Sequence, residues 1–456
     1  MFRKLKCAVP DYAPLCLDTN DPETVGCAFR QRLLRQVPDP NPTLLQEFQA
    51  FVEEYVSHLP RARTLEFEEW LEGTSYNEQR KNQLRAAHDE LRGGRPTRRQ
   101  ASHIDSFVKS ESYPTYKHAR MINSRSDAFK VFSGPMIKAV EQVVYELPEF
   151  IKHVPVPERP ARVMSLFNPG CIYYATDFTA FESHFTPKLL DVCECALYRH
   201  VLAEDRNTPF LCETLMGPNR MRTRTGVRAV VRGRRMSGDM CTSLGNGFTN
   251  LMLAKFIVAR KGGTISGLVE GDDGIFASSV ELTAEDYAQL GFTIKIERVS
   301  DPCKASFCGM IFAESGQIIR DPRKFLENFG WTGSFINAGP YIMDQLLRAK
   351  ALSTLFETPH CPIVAVLAHH ALKLTTGVVP RFVSDGFHEP HDVRSVVPFA
   401  PTLETRVLFE SLFNISIPVQ LAAEAAIVAG DLDLLSSLVP APQELANYAR
   451  DYLLVT

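Results

Sequence analysis

No apolar run in the 456 residues reaches the roughly 18 that a membrane-crossing helix needs, so no transmembrane segment is expected. No two cysteines have the Cys-x-x-Cys spacing of a structural zinc site or a redox motif. The eleven cysteines are scattered singly, apart from Cys193-Glu194-Cys195 and the wider pair Cys303 and Cys308, which points to free thiols in a reducing compartment. Met1-Phe2-Arg3-Lys4-Leu5-Lys6 has no apolar core and runs into proline-rich sequence, so no signal peptide is expected. No internal repeat or low-complexity tract occurs, which argues against solenoids and arrays. Strong charge is also missing. A net charge of −3 argues neither for nor against nucleic acid.

The distribution of charge says more than its sum. From Gly217 to Arg235 there are seven arginines and no acid. From Lys109 to Lys138 there are six Lys or Arg against two acids, and after residue 400 the balance reverses to seven acids against two Arg. Basic patches on a near-neutral chain fit a channel better than a uniformly basic surface. The length exceeds that of a typical single core, so two or three subdomains are expected.

Along the chain, residues 1–42 hold scattered Pro and read as an arm lying over other structure. A helix is expected from Pro42 to His58, capped by Asn41. A second is expected over about Thr64–Leu71. A third runs from about Tyr76 to Leu91, started by Thr74 or Ser75 and stopped by Gly93-Gly94. Arg95–Gln100 reads as an exposed loop, Ile104–Arg125 as short extended pieces, and Phe132–Leu147 as a helix. Pro155, Pro157 and Pro160 mark a connection. Ile172–Ala175 is a short strand ending at Thr176-Asp177, and Thr186-Pro187 caps a helix through about Leu202. Met216–Val231 reads as a hairpin, and Gly245 to Ala259 as a buried helix ended by Gly262-Gly263. A helix near Ala284–Leu290 and strands around Phe292–Ile296 and Phe307–Ala313 follow. From Pro322 helices dominate, broken at Pro359, Pro362, Pro380 and Pro390. This order is α+β in the middle with a helical domain after it.

Two apolar segments flank Gly271-Asp272-Asp273-Gly274, which reads as a hairpin whose turn exposes adjacent carboxylates. By itself Asp-Gly is an ordinary turn signal. Two carboxylates on one turn repel, and a divalent cation is the usual remedy. Asp177 at a strand end supplies a third carboxylate; its alternative role is a helix or turn cap. A strand-end and a hairpin-turn carboxylate facing each other can hold two Mg²⁺ about 3.5–4 Å apart for in-line phosphoryl transfer. Between them, Ser237-Gly238-Asp239-Met240-Cys241-Thr242-Ser243-Leu244-Gly245-Asn246 is a small-residue loop opening into a helix. It suits either contact with a sugar or a plain helix start. The aromatic residues Phe178, Phe181, Phe185 and Phe248 read as core.

Together these residues resemble a known family. Asp177-x4-Glu182, Ser237-Gly238-x3-Thr242-x3-Asn246 and Gly271-Asp272-Asp273 look like motifs A, B and C of viral RNA-dependent RNA polymerases. Lys109-x-Glu111-x2-Pro114-x2-Lys117-x2-Arg120-x-Ile122 resembles motif F of the positive-strand RNA virus enzymes. Gly291-Phe292-Thr293-Ile294-Lys295 resembles motif D, and Phe307-Cys308-Gly309 motif E. The style is nearest to the tombusvirus- and nodavirus-like groups, and the resemblance covers roughly residues 65–335.

The resemblance implies a right hand of fingers, palm and thumb with an antiparallel palm sheet and a mostly helical thumb. Residues 1–100 would be an N-terminal arm and helices bridging fingers and thumb. Residues 101–170 and 204–236 would form the fingers, 171–203 and 237–319 the palm, and 320–456 the thumb. It implies Asp177, Asp272 and, more weakly, Asp273 as ligands of Mg²⁺ or Mn²⁺. One ion would activate a primer 3′-hydroxyl, and the other would hold the triphosphate. Lys109, Lys117, Arg120 and Arg125 would neutralise that triphosphate. Lys295 would protonate the leaving pyrophosphate, its alternative being an exposed strand lysine. Glu182, Ser237, Thr242 and Asn246 would form the ribose pocket, since a carboxylate–amide pair can read a 2′-hydroxyl. Glu182 is Asp in many relatives, and Cys241 is frequently Asn in the nearest groups.

The Arg-rich stretch 220–235 would line a template path or remain a solvated hairpin. The implied partners are RNA template and product, nucleoside triphosphates and other viral replication proteins. The implied location is the host cytoplasm in membrane-associated replication complexes, or the virion. Two rivals stand beside this: a reverse transcriptase on the same palm, and an inactive RNA-binding scaffold.

Overall fold

The computed structural model describes residues 2–113, 117–383 and 396–439. Pro114 and Pro390, singled out above, and residues 440–456 of the expected thumb lie outside the described residues.

A four-stranded antiparallel sheet organises the middle of the chain, in the order Ile294–Val299, Ile172–Phe178, Asp273–Ser278, Ile265–Glu270. Both faces are covered, which is why its central strands read as near-continuous apolar runs. One face, with Tyr174, Phe178, Val269 and Phe276, packs into the largest core together with the buried helix Thr242–Arg260. Alternate residues Tyr173, Ala175, Leu268, Ile275 and Ala277 point the other way, onto Ile151, Val163, Phe307 and Phe312. The four phenylalanines read as core are all buried.

A second four-stranded sheet runs Met121–Arg125, His103–Val108, Pro218–Arg222, Arg228–Arg232, and its middle pair is parallel. The arginine-rich hairpin is therefore real. Its Arg220, Arg222, Arg224, Arg228 and Arg232 are exposed, while Met221 and Val231 face a small core. The helix Pro22–Arg32 caps that core through Val25, Ala28 and Phe29.

After residue 322 the chain is mostly helical: Pro322–Phe329, Pro340–Glu357, Val364–Leu374, Leu403–Phe413 and Ile417–Ala429. The N-terminal arm completes this layer. Arg3–Lys4 pairs with Trp331–Thr332, and Leu5, Cys7, Val9 and Tyr12 enter the helical core. Among the described residues no single helix is long and apolar enough to cross a membrane.

Several local expectations change. Asn41 caps its helix as expected, accepting from Thr43 and Leu44. The helix Glu78–Leu91 is capped by Asn77, not by Thr74 or Ser75. Part of the expected loop 95–100 is helical, because Thr97 and Gln100 form a capping box that starts Arg98–Ser102. The helix after Thr186 breaks at Cys193 into Pro187–Val192 and Glu194–Val201, with Glu194 turned fully inward. Only Ile311–Phe312 is strand in 307–313, since Cys308 and Gly309 take positive φ in a tight turn closed by Phe307 and Met310. The buried helix starts at Thr242, ahead of Gly245. Gly245 is required there by packing: a Cβ would lie 2.5 Å from the Arg235 guanidinium and 2.6 Å from the Glu194 carboxylate. Gly238 likewise packs on the Asn123 backbone, at 2.7 Å from such a Cβ. Both glycines serve the fold itself, where close approach to a sugar was the alternative.

Candidate active site

The Gly-Asp-Asp turn is a two-residue hairpin. Glu270 pairs with Asp273, and Gly271 and Asp272 form the loop between them. Gly271 has φ 60°, while Asp272 keeps an ordinary negative φ. That combination is the type II′ turn, which matches the twist of the flanking strands and favours Gly at its first position. The turn is held from below. Asn250, fully buried on the Thr242–Arg260 helix, donates its amide to the carbonyls of Asp272 and Asp273, each at 3.2 Å. Sequence reasoning missed Asn250. The available signal was an amide four residues after Asn246, on the same face of an otherwise apolar helix.

Asp177 joins the turn through strand register. Thr176 pairs with Gly274, so the next step along both strands brings Asp177 and Asp273 side by side. On its other side Asp177 pairs with Lys295, which places both exposed side chains on one face of the sheet. Burial raises the Asp272 carboxyl above the usual carboxylate range, and the charge of Asp177 adds to this. Burial and the charges of Asp272, Asp177 and Glu270 push Asp273 up to about 7. The three aspartates are thus close enough to repel.

Among the described residues no three acidic, His or Cys side chains converge into a closed metal cage. Mg²⁺ does not need one, because it is usually held by one or two carboxylates with substrate phosphates and water completing the shell. The mutual repulsion and hard oxygen donors of Asp177, Asp272 and Asp273 fit a divalent cation.

Two cavities meet at Asp272. The larger, of about 1130 Å³, also takes in Asp177, Glu111, Lys117, Arg120 and Arg32. The smaller, of about 530 Å³, takes in Thr242, Asn246, Asp273 and Cys308. In the larger one Glu111 gathers the cations. Its carboxylate accepts from both arms of the Arg120 fork, with Nε at 2.9 Å, and from Lys109 at 3.0 Å and the Tyr113 hydroxyl at 2.9 Å. Partial burial would raise Glu111, but Arg120, Lys109 and Tyr113 together hold it down at about 2.

Arg125 departs from its expected role. Its side chain is buried and spans Asp239 at 2.9 and 3.0 Å, the Ala101 carbonyl at 2.9 Å and Asn219 at 2.7 Å. A guanidinium so occupied joins the second sheet to the Ser237 loop and is not free for a phosphate. Arg235 is likewise buried and paired with Glu194, stacked 4.3 Å from the Phe185 ring, so it leaves the expected template path. It organises the site instead: its Nε donates to Asn246 Oδ1 at 3.0 Å and its backbone N–H to the Glu182 carbonyl at 3.1 Å. Ser237 is spent on the Met121 carbonyl at 2.7 Å, and Thr242 on that of Asp239 at 2.7 Å. Of the expected ribose pocket, Asn246 and Thr242 reach the smaller cavity. Glu182 is partly exposed and lies 3.5 Å from Arg32. Burial raises its carboxyl, and Arg32 is the first group that offsets this.

Carboxylates on a hairpin turn, a third on the adjoining strand and a cation-lined cavity beside them suit a divalent cation and an anionic ligand. The comparisons name a family that part of the chain resembles. Residues 162–328 match the family described as Viral RNA dependent RNA polymerase, which shows the resemblance carried by motifs A to E; the cations of motif F lie outside that span. The chain is 27% identical over 248 residues, 49% of its length, to a protein of Groundnut rosette virus named RNA-directed RNA polymerase. It is 26% identical over 204 residues, 41% of its length, to a protein of the same name from Panicum mosaic virus. The matched regions span only 29% and 20% of those relatives.

Proposed function

We propose that this chain is a viral RNA-directed RNA polymerase, adding nucleoside triphosphates to an RNA 3′ end on an RNA template and releasing pyrophosphate. One observation carries the reading: Asp177, Asp272 and the Arg120 fork line a single cavity large enough for a nucleotide. In this reading the central antiparallel sheet is the palm and the arginine-rich sheet the fingers. The helices after 322 form the thumb, and the N-terminal arm bridges the two ends.

Asp177 and Asp272, with Asp273 behind them, would hold the divalent metal, which when bound lowers the pKa of the attacking hydroxyl and offsets phosphate charge. Arg120, half exposed and held by Glu111 through Nε and one Nη, lines the same cavity and offers its charge to the triphosphate, and Lys117 adds a second cation there. Lys295, facing Asp177 across the strand pair, is placed to give a proton to a departing pyrophosphate. Asn246, oriented by Arg235, offers its amide to the ribose. The exposed arginines of the second sheet track the RNA backbone.

The test is incorporation of labelled ribonucleotides by the purified chain on an RNA template, with Mg²⁺ or Mn²⁺. Template-dependent extension is expected; RNA binding without any incorporation would support a scaffold instead.

A further inference from the structure

The segment after the Pro22–Arg32 helix is fastened to the loop that follows Asp177 at three points. Arg32 reaches Glu182 at 3.5 Å. Arg35 donates to the Thr179 carbonyl at 3.4 Å. The Leu33 carbonyl accepts from Arg234 at 3.0 Å, and the Arg234 backbone N–H in turn donates to the Phe185 carbonyl. The helix itself is anchored on the second sheet through Val25, Ala28 and Phe29. Arg32 therefore arrives on a rigid element and not on a free arm. Its side chain contacts Glu182 and lines the larger cavity together with Asp177 and Asp272. The contact is to Glu182 Oε1, and the carboxylate also accepts from its own backbone N–H. An aspartate at position 182 would place its carboxylate one methylene short of this arginine. The glutamate and Arg32 thus act as a matched pair, one of them supplied from outside the segment that matches the polymerase family.

We infer that Arg32 is a positioning residue for sugar selection, holding the Glu182 carboxylate where it meets the ribose 2′-hydroxyl of the incoming nucleotide. This rests on the polymerase reading above. The helix before the fingers sheet then contributes to the choice between ribo- and deoxynucleotides, which ties that choice to how the N-terminal segment is seated.

The experiment is single-nucleotide incorporation by the full chain on a primed RNA template, with each ribonucleotide compared with its 2′-deoxy analogue. For Arg32→Ala the ratio of kcat/KM values should fall roughly five- to tenfold, the scale of one hydrogen bond to a charged group. The fall should come from a higher KM for the ribonucleotide. Glu182→Gln should lower the ratio similarly, and the double variant should lose no more than either single one. Arg32→Lys keeps the charge but loses the fork, so it should fall in between; it carries the same test should Arg32→Ala fail to fold. An active variant with an unchanged ratio, or with KM raised equally for both sugars, overturns the inference. Wild-type protein that incorporates neither sugar overturns the polymerase reading, and this inference with it.

Discussion

At the scale of single residues, Asn250 and Asp273 set the properties of the turn. Asn250 ties the backbone of both aspartates to the helix beneath, and its loss removes the side-chain donor that both carbonyls accept from. Asn250→Ala should lower stability by about 2 kcal/mol and reduce metal affinity, read by thermal unfolding and by calorimetric titration with Mn²⁺. Asp273 carries the pH dependence. Its carboxyl, raised from 3.8 to about 7, binds a proton in the folded chain that it would not bind unfolded. In the metal-free protein this contribution to stability is complete below 3.8 and is lost as the pH climbs to about 7. Metal binding must displace that proton, so Mn²⁺ affinity should rise between pH 6 and 8, and Asp273→Asn should flatten the rise. Affinity that falls over this range would contradict the assignment.

Some of this was legible residue by residue. The turn, its two carboxylates and Asp177 follow from local pattern, because a hairpin between apolar runs is specified within ten residues. Arg125 was misread because charge counting cannot tell which cation of a basic stretch finds a buried partner, and Asp239 lies 114 positions away. The pairing of Arg32 with Glu182, and of Arg235 with Glu194, depends on the same long-range folding.

At the scale of elements, the arginine-rich hairpin is the clearest separable part. Pro218–Arg222 and Arg228–Arg232 keep Met221 and Val231 inward and their arginines in solvent, so reversing charges there leaves the core alone. Arg220→Glu with Arg228→Glu should weaken RNA binding across all sequences. It should also reduce the slope of log affinity against log salt by about 1.4 to 1.8, with an unchanged unfolding midpoint. An unaltered slope would make the hairpin a merely solvated face. Its existence was legible from alternating Arg and smaller residues; its parallel junction with His103–Val108 was not, because that pairing crosses more than a hundred residues.

At the scale of the whole molecule, the two ends of the chain are joined. The N-terminal residues Leu5, Cys7, Val9 and Tyr12 are part of the C-terminal helical core, and Arg3–Lys4 pairs beside Trp331, a residue of the cavity wall. Proline scatter showed only an arm over other structure, since its partner surface forms more than three hundred residues later. Val9→Asp, an unpaired charge at a fully buried position, should cost about 3 kcal/mol or more, read by chemical denaturation. It should also depress nucleotide incorporation by loosening the cavity wall.

The most direct measurement is primed ribonucleotide incorporation by the wild type, Asp272→Asn and Asp273→Asn in parallel with Mg²⁺ and with Mn²⁺. Asp272 stands where the two cavities meet, whereas Asp273 borders only one. Asp272→Asn is expected to abolish synthesis with either ion, and Asp273→Asn to retain a residual activity that Mn²⁺ supports better. Equal residual activity in the two variants, or a fully active Asp272→Asn, would contradict the account.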